Sequence, residues 1–185
     1  METTQTKWTI DTHHSKLQFK VKHLAIANVA GTFKIFSGEV QSNTDDFNGA
    51  QITVEIDANS ISTDHEERDG HLKSPLFLDT AKFPKITFTG TLNKQGSGYV
   101  LNGGLTIKDV TKNVQLETEF NGLEKDNRFK NTRAGFEATG KINRKDFGVS
   151  FHMLTEAGGL AIGEEVKLHF DIELIRLPVN LVPVA

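Results

Sequence analysis

No cysteine occurs among the 185 residues, which removes disulfides, thiolate nucleophiles and cysteine-ligated metals without fixing a redox compartment. No stretch of about 18 apolar residues is present, so no membrane-spanning helix is expected. The opening residues METTQTKWTID lack the basic, apolar and small-residue parts of a secretory leader, and the chain as written reads as cytoplasmic. A leader removed beforehand would make it periplasmic or secreted instead. An excess of one charge is missing too. Charged residues make up 24% with a net charge of -3, so no broad basic field for nucleic acid is expected.

Signatures of catalysis are also lacking. There is no Gly-x-Ser-x-Gly elbow, phosphate loop, dinucleotide fingerprint or zincin motif, and Ser, His and Asp residues scatter over presumed turns and outer faces. No catalytic residue is assigned, and the chain is not expected to be an enzyme. Of seven histidines, His13 and His14 lie on turn chain, and His65 and His71 are six apart, off a common helical face. Without a His-x-x-x-His or Glu-x-x-His pair, no metal site is expected.

What is present is alternation. Leu17, Phe19 and Val21 share one face of Ser15 to His23 against lysines and glutamine, and the same parity directs His23 inward. Gly31 to Ile35 alternates likewise, with a bulge or bend expected at Phe36-Ser37-Gly38. Ile52, Val54 and Ile56, then Ile86 and Phe88, then Tyr99, Leu101, Gly103, Leu105 and Ile107 continue the pattern, the paired glycines leaving a bend or room for a ligand. Val114 to Phe120, then Ala134, Phe136, Ala138 and Ile142, and last Val166 to Leu174 complete it, with a solvated loop expected over Leu123 to Thr132. About eight antiparallel strands with one buried face each are satisfied by a closed barrel or by a two-sheet sandwich.

One stretch breaks the alternation. Asn59 to Pro84 carries a short helix expected to start near Asp64, capped by the Thr63 hydroxyl with Glu66 reaching back. Pro75 ends it. Leu76-Phe77-Leu78 and Phe83 then need an apolar surface to cover.

Here ISTDHEERDGHLKSPLFLD followed by KFPKITF resembles the signature of the YceI-like family of lipid-binding, lipocalin-like barrels. WTIDTHHSKLQFKVKHL, VAGTFKIFSGEV, GGLTIKDVTKNVQL and INRKDFG resemble further blocks of that family, in family order over nearly the whole chain. Asp109 stands where the family commonly has Gly. The resemblance implies an all-β, about eight-stranded antiparallel lipocalin-like barrel over residues 1–185 as a single domain, with the helical crossover near residues 59–83.

It also implies an amphiphilic lipid partner, of polyisoprenoid, isoprenoid quinone or fatty amide type, bound inside as cargo, store or protected guest, with no other cofactor. Strands of about nine residues, at about 3.3 Å each and a tilt of about 40°, enclose a tunnel roughly 20 to 25 Å long. The residues expected to line it are Leu17, Phe19, Val21, His23, Phe33, Ile52, Val54, Phe77, Ile86, Phe88, Leu105, Phe136, Leu168 and Phe170. Arg68, Asp69 and His71 on the crossover are candidates for a headgroup or for a network tying the crossover to the barrel. Family likeness is also the ground for expecting a homodimer, and the apolar tail from Leu177 to Val184 is expected to pack across the barrel or a second subunit. A lipid-modifying enzyme and a stress-related interaction module with a filled barrel are the competing readings.

Overall fold

The computed structural model describes residues 5–156, 158–159 and 161–178. The strands are β1 (Thr6–Ile10), β2 (Lys16–His23), β3 (Ala27–Phe33), β4 (Phe36–Ser42), β5 (Ala50–Asp57), β6 (Ile61–Ser62), β7 (Lys85–Gln95), β8 (Gly98–Ile107), β9 (Val110–Asp126), β10 (Asn131–Asn143) and β11 (Ile162–Arg176). Helix α1 (Glu66–Lys73) lies between β6 and β7. All pairings are antiparallel, and the ring β1-β4-β5-β7-β8-β9-β10-β11 closes when β11 returns to β1, Ile10 facing Leu174. This is the closed eight-stranded barrel that the family resemblance implied, and it leaves no place for a sandwich.

Three rungs of the ring are interrupted. β2 continues the direction of β1 along β11, with Leu17 opposite Phe170 and Val21 opposite Val166. β3 pairs with β2 and β6 with β3, so β1 plus β2, β4 plus β3 and β5 plus β6 each act as one bent strand. The bend between β3 and β4 falls at Lys34 and Ile35, two residues before the expected Phe36. There the Ile35 amide donates to Ser60 Oγ and the Lys34 amide to the Ser60 carbonyl, turning Ile35 out into solvent. The expected loop over 123–132 is shorter than its polarity suggested. β9 and β10 pair out to Asp126 and Asn131, leaving only residues 127–130 as the turn.

One end of the barrel is solid. Phe47, in the turn between β4 and β5, is 0% exposed and packs against Trp8, Phe120 and Phe136 at centroid distances of 5.0, 5.4 and 5.0 Å. It adopts φ 58°, a left-handed conformation that costs a side chain of this size about 1 kcal/mol, against about 1.5–3 kcal/mol from its burial. The turn is held by Tyr99, whose hydroxyl donates to the Asp46 carbonyl at 2.6 Å, and by Asn48, which accepts from the Lys94 amide at 2.9 Å. DDFNG reads as a polar turn, and nothing in its spacing distinguished Phe47 as a stopper.

Between β1 and β2 the chain is stitched to β11. Asp11 accepts from the His13 amide (3.0 Å), lies 2.9 Å from His14 Nδ1 and accepts from Arg133 Nη1 at 2.7 Å. Arg133 also bonds Glu173, whose backbone amide donates to Ser15 Oγ at 2.9 Å. Burial alone would push the Asp11 carboxyl up; the His14, Arg133 and His13 contacts outweigh it and hold it down at about 2. A folded-state value below the usual 3.8 stabilises the protein above that pH and is lost as pH falls toward 2. Asp11→Asn is therefore expected to lower the melting temperature at neutral pH and to flatten its fall between pH 4 and 2, measured by circular dichroism at a series of pH values. An unchanged acid limb would place that sensitivity elsewhere.

Candidate functional site: the barrel lumen

Above the Phe47 stopper the lumen is hollow. One cavity of about 170 Å³ lies toward α1 and a second of about 120 Å³ toward the stopper. Leu17, Ile56, Leu105, Leu168 and Phe170 line both and form the neck between them. No polar atom is exposed on either cavity surface; Gln18, Arg144 and Thr118 contribute apolar atoms only.

Most of the residues expected inside do line this space. Leu17, Phe19, Val21, Phe33, Phe77, Ile86, Leu105, Leu168 and Phe170 border the first cavity, and Ile52, Val54, Phe88 and Phe136 the second. His23 does not. It ends β2 opposite Ala27 and Ile162, where the wall stops, and its ring is exposed, so strand parity no longer decides its direction.

Glycines keep the lumen open. The Phe88 ring lies over Gly90 and Gly103, and a Cβ on either would sit 2.6 Å from its Cζ. Gly31 likewise receives the Phe19 ring, a Cβ there meeting Phe19 Cε1 at 2.8 Å and Thr63 Cγ2 at 2.9 Å. Two phenyl rings thus lie against the wall instead of across the bore. The space left by the paired glycines is taken by a neighbouring ring, and the room for a guest appears at the centre.

The crossover covers the other end. Helix α1 begins at Glu66, later than expected, because the chain turns at Asp64 (φ 57°) and the capping contact comes from His65, whose Nδ1 accepts from the Arg68 amide at 3.3 Å. Thr63 caps nothing. Its hydroxyl donates to Asp69 Oδ1 at 2.5 Å and accepts from Arg68 Nε at 2.7 Å, while Arg68 Nη2 donates to the Thr63 carbonyl at 2.9 Å. Both Arg68 and Asp69 thereby hold α1 to the strand that enters it, and neither reaches the lumen.

His71 meets Phe77 and Phe151 edge-on at 5.0 and 5.4 Å. Of the set expected to cover apolar surface, Phe77 and Leu78 line the first cavity, whereas Leu76 is exposed and Phe83 lies off the cavity; Leu72 joins the first two to form the lid.

Arg144 was missed, since INRKDFG reads as a turn. It is 6% exposed and donates to the carbonyls of Gly163 (2.9 Å), Val149 (2.6 Å) and Ile162 (3.3 Å), clamping the 144–147 turn onto the start of β11. Burial pushes its guanidinium down from the ordinary value. Phe147 and Val149 beyond it close the lumen wall.

Asp11, His14 and Glu173 bring potential metal-ligand atoms within 4.8 Å of one another, a convergence sequence spacing could not reveal. Arg133 already lies between the two carboxylates as their cation.

Residues 8–174 match the sequence model of the YceI-like domain. The chain belongs to the YceI-like family. A UPF0312 protein of Staphylococcus aureus (strain MSSA476) is 38% identical over 168 residues, 91% of this chain and 96% of the relative. The Campylobacter jejuni YCEI protein superimposes with a TM-score of 0.72 at 29% identity, covering 86% of this chain and 91% of that one. Burkholderia cenocepacia BcnA gives 0.75 at 20% identity over 89% and 98% of the two chains, and a polyisoprenoid binding domain from Saccharophagus degradans gives 0.66 at 18% over 92% and 98%; both show the shared fold.

Two outcomes follow for this YceI-like barrel. Gly31→Ala pushes Phe19 into the bore, where every close neighbour is a side chain, so the fold is retained at a cost of about 1–3 kcal/mol while the first cavity shrinks. A crystal structure with Phe19 still flat against the wall would refute this. Zinc added to the protein is expected to leave the melting temperature unchanged because Arg133 occupies the acidic pair; a rise in wild type that Asp11→Asn abolishes would reverse that reading.

Proposed function

We propose that this YceI-like barrel binds a long-chain amphiphilic lipid of polyisoprenoid, isoprenoid quinone or fatty amide type, serving as carrier, store or protective binder. The observation that carries the reading is the pair of adjoining hollows with no polar atom on their surface. β11 lines them from Ile162 to Leu174, a span of roughly 40 Å along the tilted strand and roughly 30 Å along the barrel axis. Burying about 400 to 500 Å² of hydrocarbon there contributes about 10 to 12 kcal/mol before ordering costs, which cancel a large part.

The same lining sets the guest's direction. A carbonyl, amide or phosphate carried into it would lose its hydrogen bonds to water and find no partner. The tail therefore points to the Phe47 stopper and the headgroup stays at the α1 end. Since the hydrophobic term is non-directional, tail chemistry is read loosely. The Saccharophagus degradans neighbour, described as a polyisoprenoid binding domain, supports an isoprenoid within this range.

A lipid-modifying enzyme is the weaker reading, because no acid, base or nucleophile reaches the lumen among the described residues. A filled-barrel interaction module is disfavoured by the hollows themselves. The homodimer suggested by family likeness is read by mass in solution.

The test is organic extraction and mass spectrometry of the purified protein, with titration by a prenyl alcohol. Saturable uptake without conversion of the lipid on incubation is expected. Leu105→Trp, which fills the neck, should spare short-chain guests and weaken long-chain ones by about tenfold or more. Absence of both copurifying lipid and saturable uptake would defeat the proposal, and turnover of the lipid would favour the enzyme.

A further inference from the structure

Among the described residues, five of the eight exposed large apolar side chains stand around the α1 end of the barrel: Leu24, Ile26, Leu76, Met153 and Leu154. They come from three segments that touch. The Leu24 amide donates to the Ala161 carbonyl at 2.9 Å, and the Ala161 amide to the Met153 carbonyl at 2.9 Å. Phe151, two residues before Met153, packs on Phe77 at 4.8 Å, next to Leu76. Phe77, Val149 and Ile162 beneath them line the first cavity, so these tips form a rim around the Leu72-Phe77-Leu78 lid that closes it.

The turn that raises two of the tips is strained. Leu24 and Ala25 hold φ 51° and 60°, with the Ile26 amide donating to the His23 carbonyl at 3.2 Å. A two-residue turn of this left-handed kind ordinarily takes Asn-Gly, because side chains such as leucine disfavour positive φ. Packing offsets only part of the strain. Leu24 is 41% and Ile26 85% exposed, and strain retained at an exposed apolar tip points to a contact outside the chain.

Charge specifies what kind of contact. Lys22 stands two residues before Leu24 and Lys73 three before Leu76, beside the rim. The acidic Glu66 and Glu67 occupy the first turn of α1, about 10 Å further from it along the helix. On these segments the acidic groups are Glu156 near Leu154 and Asp79 three residues after Leu76, Asp79 having Lys82 three residues further on; Glu164, beyond Ala161, is paired with Lys145.

We infer that the α1 end docks on an anionic lipid bilayer, the apolar tips entering the headgroup boundary and Lys22 and Lys73 facing lipid phosphates. When the Leu72-Phe77-Leu78 lid parts there, the cavity opens onto a phase in which a long-chain guest is soluble. The inference builds on the lipid-binding reading, yet docking and uptake are measured separately.

Wild-type protein is sedimented with vesicles of equal parts phosphatidylcholine and phosphatidylglycerol, and with phosphatidylcholine alone. Binding to the anionic vesicles, weakened by salt, is expected. Ile26→Asp combined with Leu154→Asp should reduce it at least about tenfold, while Phe129→Asp on the β9–β10 turn at the stopper end leaves it unchanged. The double variant should still take up prenyl alcohol as wild type does.

Wild type that ignores both vesicles, or a double variant that pellets as wild type does, overturns the docking surface. A dimer in sedimentation velocity that Ile26→Asp dissociates, with no vesicle binding, assigns the rim to a second copy instead. Docking without uptake in wild type would sink the lipid-binding reading and leave the surface standing.

Discussion

The bore of an eight-stranded ring is set by backbone hydrogen bonding, and its width exists before any side chain is chosen. Everything else in this barrel is a decision about that fixed space. At one end aromatic rings fill it, Phe120 stacking on Phe136 at 4.9 Å beneath Phe47. Toward the other end glycine lets Phe19 and Phe88 lie along the wall, and the bore stays empty. One backbone geometry thus yields a solid half and a hollow half, the difference lying in where side chains are withheld.

The interruptions in the first three rungs follow the same division. The breaks at residues 11–15, 34–35 and 58–60 occur on neighbouring strands, so the sheet bends along a line instead of at scattered points. β1, β4 and β5 surround the aromatic end and the second cavity; β2, β3 and β6 surround the first. Each break is held by polar groups that regular pairing would not use: Asp11 with His14 and Arg133, and Ser60 with the Ile35 and Lys34 amides. Arg144 does for the 144–147 turn what Arg68 does for the crossover. Both extend a guanidinium to backbone carbonyls and fix a non-strand segment to the wall.

Strict alternation made the wall legible in sequence. Leu17-Phe19-Val21 and Leu168-Phe170-Ile172 can bury only one face each, and in the barrel that face lines the lumen. Parity fails where strands end, which is why His23 turns outward. Local rules also failed where a distant partner intervened: Thr63 has the spacing of a helix cap, but Arg68 and Asp69 engage its hydroxyl and the helix starts after the bend at Asp64. Phe47 lay hidden in a polar turn because its role depends on rings from three strands, β1, β9 and β10, meeting around it. The openness of the lumen was half visible. Gly103 was recognisable as a gap, but the ring that fills it belongs to the adjacent strand, and only the register of β7 against β8 brings the two together.

Trp8 is the chain's one tryptophan, and it sits at the blind end, 1% exposed, sandwiched between Phe47 and the Arg176 guanidinium at 5.0 Å. Its indole nitrogen finds no acceptor there. Excited at the red edge of its absorption, where Tyr99 does not absorb, the indole gives a single signal from one buried fluorophore, blind to solvent changes at the distant rim. A molecule long enough to nudge the aromatic seal would register in that spectrum, and a shorter one would leave it dark to the event, making the indole a built-in depth gauge.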